Sequence, residues 1–211
     1  MAMIARELIK YERVLQYTGT YEDYLRKNTD KSFWLVNTNK LVRYYQGLDG
    51  LKTGYTEKAL YCITTTAKRN NMRLITVVMG EPTSSIRNME TVSMLDYGFH
   101  TYEIDTILSK KTVLETKKVL LGQKKEVQIV PKVDANVLNS KTGNKRNVTY
   151  QFHTNTIKAP VKMGDVVGKI DIIENKNVIM TIDATVKESV EKANIITSYI
   201  RDLLDVMKGN I

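Results

Sequence analysis

Apolar residues at Ile4, Leu8, Ile9, Val14 and Leu15 recur at the 3.6-residue spacing of an amphipathic helix. No Ser, Thr, Asp or Asn stands before them as a cap, so the chain reads as beginning inside a helix. From 59 to 80 the period changes. "ALYCITTTAK" and "MRLITVVMG" are β-type runs joined by Arg69-Asn70-Asn71, and Asn tolerates the positive φ of a tight hairpin. With residues 48 to 55 they predict three adjacent strands. "TSSIRNMETVSMLDYGFHTY" then predicts a helix capped by Thr83 or Ser84, with Ile86, Met89, Met94, Leu95 and Tyr97 as its apolar face and Gly98 as its end.

Beyond about residue 103 the chain turns into short alternating runs spaced by Gly, Asn and Lys: "KKVLLG", "KEVQIVPK", "NVTYQFHT", "VVGKIDII" and "NVIMTIDATV". Their spacing predicts a small all-β module. From about 187 helical period returns, with Val190, Ala193, Ile196, Tyr199, Ile200, Leu203, Leu204 and Met207 on one face. The opposite face mixes both charge signs, whereas an interfacial membrane helix usually carries a Lys/Arg-rich polar face; docking onto a domain or partner is favoured over lipid. The expected organisation is α+β, with a first domain over 1–102, a β-rich domain over 103–186 and an amphipathic helix over 187–211.

Composition narrows the chemistry. A 42% hydrophobic content suffices for a buried core, and no apolar run approaches the roughly 18 residues of a membrane-spanning helix. The N-terminus shows no export signal. Cys62 is the single cysteine, which excludes an internal disulfide and a cysteine metal site, and it reads as a buried small hydrophobe. His100 and His153 lack partner ligands at helical or hairpin spacing, so no metal is expected. The net charge of +9 points to an anionic partner, yet the basic residues are interspersed with acidic ones and no nucleic-acid motif matches; no nucleic acid is expected.

The tripeptide Lys-Thr-Gly occurs twice. Lys141-Thr142-Gly143 lies among turn residues in "NSKTGNKRN" and reads as a basic loop between strands. Lys52-Thr53-Gly54 lies in "GLDGLKTGYT", at the start of the predicted three-stranded sheet. On an exposed strand edge, Lys52 offers a cation and Thr53 a hydroxyl to a carboxylate. Gly54 has no side chain to stop a substrate backbone from lying alongside, so an extended peptide could bind by strand addition.

"GLDGLKTGYT", the hairpin ending "VVMG", the helix "TSSIRNMETVSMLDYGF" and, further on, "APVKMGDVVGKI" resemble, in that order, the low-molecular-mass penicillin-binding proteins, the serine D-alanyl-D-alanine carboxypeptidases. The resemblance covers most of the chain. It implies a partial penicillin-binding, β-lactamase-like domain followed by a β-rich domain, an extracytoplasmic setting in the cell envelope, and peptidoglycan stem peptides and β-lactams as partners of the intact enzyme. It implies no cofactor. It makes Lys52, Thr53 and Gly54 the third active-site motif, and has Tyr55 lend its backbone N–H to the oxyanion hole. Arg87 would help position the terminal carboxylate, the other reading being an exposed helix arginine. Peripheral membrane contact through the C-terminal helix stands beside docking onto a partner.

The family also needs Ser-x-x-Lys and Ser-x-Asn ahead of Lys-Thr-Gly. Before Lys52 the sole serine is Ser32, in "KSFW", and no Ser-x-Asn occurs in the chain. Ser189 to Lys192 has the Ser-x-x-Lys spacing, but it follows the Lys-Thr-Gly and falls in the predicted C-terminal helix, where it reads as chance. The chain is therefore expected to be the C-terminal part of a longer enzyme and inactive alone. The competing reading is a non-catalytic cell-wall binding or scaffold module.

Overall fold

A computed structural model describes residues 1–143 and 145–194. They form an α+β architecture dominated by strands, in two compact units. The first holds Met1–Ile104 together with Ser140–Gly143, and the second takes in the remaining described residues.

The first unit opens with α1 (Ala2–Leu8) and α2 (Arg13–Thr18), followed by a hairpin of β1 (Glu22–Leu25) and β2 (Phe33–Val36). The short α3 (Leu41–Tyr44) leads into a sheet of β3 (Leu48–Thr56), β4 (Leu60–Arg69) and β5 (Met72–Glu81) in that order, antiparallel throughout. As the central strand, β4 is buried on both faces from Ile63 to Ala67, which is why "ITTTA" reads as a continuous run rather than an alternation. Its polar members pair inside: the Thr65 and Thr76 hydroxyls lie 2.6 Å apart. Asn70, with φ of 52°, turns the β4–β5 hairpin as its residue type predicts. The helix α4 (Ser84–Thr101) packs on one face of the sheet, its Leu95 and Phe99 against Ile63, Ala67 and Val78.

The predicted N-terminal helix is in fact two pieces, because Lys10 and Tyr11 bond back three residues instead of four and the ladder breaks there. The helix α4 also departs from its expected form. Thr83 caps it, accepting from the Ile86 N–H, but the buried stripe is Arg87, Thr91, Leu95, Gly98 and Phe99. Of the expected face Met89, Met94 and Tyr97 are exposed. A stripe containing Arg, Thr and Gly is invisible to a search for apolar periodicity. Gly98 does not end the helix; it lies inside it, where a Cβ would come within 2.5 Å of Leu74 Cδ1, so the residue serves close helix–sheet contact.

In the second unit β6 (Tyr102–Leu108), whose first residues still belong to the first unit, is followed by β7 (Glu115–Leu120), β8 (Glu126–Pro131), β9 (Ala135–Ser140), β10 (Val148–Thr154), β11 (Ile157–Lys158), β12 (Val166–Glu174) and β13 (Asn177–Val186). Six of these make one sheet in the order β10-β12-β13-β8-β7-β11, and β6 pairs with β9. Val127, Ile129, Ile170, Ile172, Ala184 and Val186 form its core. A helix does not start at 187. Residues 187–194 are non-helical, and within them Val190 is buried in the β core and bridges Val161. The rest of the expected helix, 195–211, lies outside the described residues. Among the described residues no helix is long and apolar enough to cross a membrane.

Three carboxyls of the second unit are held below their ordinary values. The Asn139 amide, then Lys145, lowers Asp105; Arg146 lowers Glu174; Lys169 lowers Asp183. A carboxyl held low stabilises the fold fully above its unfolded value, 3.8 for Asp and 4.5 for Glu, and loses that contribution as pH falls through its folded value. Thermal melting of the chain is therefore expected at lower temperature at pH 3 than at pH 5, with the difference reduced in 1 M salt. A midpoint at pH 3 equal to or above that at pH 5 would contradict these pairings.

Candidate active site

The Lys-Thr-Gly strand is the edge of its sheet: among the described residues β3 pairs only with β4, placing Lys52 opposite Thr64, Thr53 opposite Ile63, Gly54 opposite Cys62 and Tyr55 opposite Tyr61. Side chains alternate across the strand. Thr53 is buried on one side, whereas Lys52 and Gly54 are exposed on the other. All three residues line an apolar groove of about 300 Å³ beside α1, in which Ile4, Leu8, Leu51 and Met79 lie next to the motif.

Each residue of the motif has a definite environment. The Lys52 ammonium folds back onto the Thr53 carbonyl at 2.6 Å. The Thr53 hydroxyl lies 2.7 Å from the Thr38 hydroxyl. A Cβ added at Gly54 would meet nothing within 4 Å, so packing within the chain does not require a glycine there. The Tyr55 ring is exposed and rests on the Tyr61 ring, centroids 4.5 Å apart.

The strand is anchored at its N-terminal end. Asp49 makes a two-point ion pair with Arg73 of β5, at 2.7 and 2.8 Å, and Arg73 also donates to the Thr66 hydroxyl at 2.9 Å. This clamp ties β3 to β5 across β4, and two parallel N–H···O bonds are the strong form of an Arg–carboxylate contact. On the open side the Thr18 hydroxyl donates to the Asp49 carbonyl at 2.8 Å, and the buried Asn39 amide donates to the Gly50 carbonyl at 3.4 Å. Gly50 permits this approach, since a Cβ there would lie 2.5 Å from Thr18 Oγ1.

Arg87 is 5% exposed, which excludes the exposed-arginine reading. Its Nε and Nη2 both donate to the Asn88 side-chain oxygen, at 3.2 and 2.8 Å, and among the described residues no Asp or Glu pairs with it. Burial pulls its pKa below the ordinary arginine value, opposed by the nearby Cys62 and Tyr61. Cys62, expected to be buried, is half-buried and donates its thiol to the Ala59 carbonyl at 3.2 Å.

Two other sequence features resolve into structural roles. Lys141, of the second Lys-Thr-Gly, donates its backbone N–H to the Thr101 carbonyl at 2.8 Å and its ammonium to the Phe99 carbonyl at 2.7 Å, closing the C-terminal end of α4. The Ser189–Lys192 spacing lies on irregular chain, not a helix. Ser189 Oγ there accepts the Met163 N–H at 2.9 Å, so the spacing does not stack lysine over serine as a helical turn would.

Comparison with known proteins bears on the edge strand directly. A D-alanyl-D-alanine carboxypeptidase family model matches residues 1–83, and a model of the penicillin-binding protein 5 C-terminal domain matches 102–192. Over 209 residues, 99% of its length, the chain is 39% identical to D-alanyl-D-alanine carboxypeptidase DacF of Bacillus subtilis, of which it covers 54%. Residues 1–83 thus resemble the D-alanyl-D-alanine carboxypeptidases, and the similarity to their curated members runs along nearly the whole chain. The chain is also 30% identical, over 91% of its length, to D-alanyl-D-alanine carboxypeptidase DacC of Escherichia coli, covering 48% of that protein. Among solved structures, penicillin binding protein 5 of Haemophilus influenzae superposes with a TM-score of 0.61 at 26% identity, over 90% of this chain and 55% of that one. The Streptococcus pneumoniae peptidoglycan synthesis regulatory factor (PBP3) shares the fold, with a TM-score of 0.63 at 24% identity, over 88% of this chain and 54% of that one. The chain spans about half the length of the curated relatives it matches.

The carboxypeptidase match takes in Lys52 to Tyr55 and ends before Arg87. Reading the sequence for known motifs missed the groups that hold the strand, Asp49 with Arg73 and the run Asn37-Thr38-Asn39. The available signal was compositional: a short polar triplet set between an apolar run and a helical turn, where Asn and Thr commonly bond to backbone.

The two glycines of the strand predict opposite outcomes. Gly54→Ala is expected to leave unfolding stability within about 0.5 kcal/mol of the parent, as for an unencumbered surface change. Gly50→Ala, pressed on Thr18, is expected to cost about 1–3 kcal/mol. Urea unfolding of the two variants checks this; equal losses would contradict the placement of the strand.

Proposed function

We propose that these residues supply the substrate-holding side of a serine-type D-Ala-D-Ala carboxypeptidase site. The observation that carries the reading is the edge position of Lys52 to Tyr55 within the segment that matches the carboxypeptidase family. A stem peptide ending in D-Ala-D-Ala lies antiparallel to β3, passing over Gly54 where no side chain intervenes. Its terminal carboxylate, acceptor-only, takes the Thr53 hydroxyl and the Lys52 ammonium, which leaves the Thr53 carbonyl to reach it. Arg87, buried and without an acidic partner among the described residues, is read as a cation that helps position the terminal carboxylate.

In the reaction a serine oxygen attacks the penultimate D-alanine carbonyl carbon. The resulting oxyanion takes the Tyr55 backbone N–H, the peptide C–N bond breaks, and D-alanine leaves with a proton on its nitrogen. Water then hydrolyses the acyl ester and restores the serine. Of this sequence the chain supplies binding, orientation and one oxyanion donor; no Ser-x-x-Lys precedes Lys52 to supply nucleophile and base. The first unit is read as part of the transpeptidase-like domain, and the β-rich unit as the module that follows it. The reading sets the protein outside the cytoplasm, in the cell envelope, with the segment from 195 onward proposed to dock on a partner or the membrane surface.

Two measurements test this. Exposed to penicillin, the 211-residue chain is expected to show no covalent adduct by intact mass; an adduct would mean that it carries a nucleophile of its own. A chimera in which the chain replaces the matching portion of Bacillus subtilis DacF is expected to release D-alanine, and Lys52→Ala in it to lower kcat/KM by about 10²-fold or more. A folded chimera without D-alanine release would favour the scaffold reading.

A further inference from the structure

The hydroxyl pair Thr38–Thr53 joins the site to a residue that no motif assigns. We infer that Thr38 is a positioning residue that orients the Thr53 proton toward a substrate carboxylate and so sets a preference for a free C-terminus. The inference rests on the proposed role of Thr53.

Thr38 is itself exposed, but its neighbours fix it on both sides. Asn37 donates its amide to the Thr18 and Thr20 carbonyls at 3.1 and 2.9 Å, and its backbone N–H to the Tyr21 carbonyl at 2.7 Å. Its side-chain oxygen accepts the Asn39 N–H at 2.8 Å. Asn39, 1% exposed, accepts the Leu41 N–H at 3.2 Å while its amide reaches Gly50 of β3. Two asparagines thus lock the loop to α2 and to β3, and Thr38 projects from it onto Thr53 at 2.7 Å.

A hydroxyl has one proton to donate and two lone pairs to accept with. The pair can therefore run in either direction when nothing is bound. A carboxylate has no proton to give, so only one direction suits it: Thr38 donates to Thr53, and Thr53 donates to the carboxylate. The reverse direction turns the Thr53 lone pairs toward the anion. Thr38 strengthens the productive direction by polarising the second bond. A neutral amide terminus offers both a donor and an acceptor and accepts either direction, so the relay discriminates between the two termini.

The experiment uses the chimera with peptides ending in D-Ala-D-Ala acid or in the corresponding C-terminal amide. Thr38→Val is expected to raise KM for the acid about fivefold to tenfold, with kcat nearly unchanged, and to shift the amide less than about twofold. Thr38→Ser is expected to restore the acid value. In a Thr53→Val background, Thr38→Val is expected to add nothing. If Thr53→Val leaves the acid unaffected, the reading of Thr53 itself fails. If Thr53→Val acts but Thr38→Val has no effect, acts equally on both peptides, or adds its full loss on top, the positioning role of Thr38 is overturned.

Discussion

The exposed edge of β3 is the constraint on which the site depends. A strand edge attracts further chain, and its geometry is useful for recognition only if it is held still. Here the fixing is done at one end of the strand. The Asp49–Arg73 clamp ties it to β5, while Thr18 and Asn39 take the carbonyls of Asp49 and Gly50. From Lys52 onward the groups that could meet a ligand stand free of such fastening, apart from the Thr38 contact and the bond of Lys52 to its neighbour. Support at Asp49 and Gly50 with an open edge after Leu51 suits the strand addition proposed for this site.

Burial then divides the labour along the same strand. Thr53 is largely buried and held by a fixed loop, whereas Lys52 and Gly54 are exposed, and all three line the groove beside α1. Arg87 adds a cation that is buried without an acidic partner among the described residues, an arrangement costly to keep unless its field serves something nearby. The β-rich unit is built on a separate core, and its surface ion pairs, such as Arg146–Glu174 and Lys169–Asp183, are of the exposed kind that contribute modestly.

Much of this was legible in the sequence for a physical reason. Strands with two-residue turns and a capped helix leave local signals, so β3, β4, β5 and α4 were expected where they stand, as were β7, β8, β10, β12 and β13. Long-range requirements leave none. Gly98 looked like a helix stop because nothing local reveals Leu74 pressing on it, and the buried stripe of α4 escaped notice because Arg87 and Thr91 belong to it. The β1–β2 hairpin was missed because both strands are exposed and carry no buried-face alternation. At the site, Lys52 to Tyr55 could be named from a motif, but the pairing of Thr53 with Thr38 depends on a loop whose position only the folded chain defines.

The most direct measurement is a crystal structure of the DacF chimera acylated by a β-lactam. The account predicts the antibiotic's carboxylate about 2.7–3.0 Å from Thr53 Oγ1 and the acyl carbonyl oxygen within a similar distance of the Tyr55 backbone nitrogen. A β-lactam whose carboxylate is held away from β3, with Thr53 still bonded only to Thr38, would contradict it.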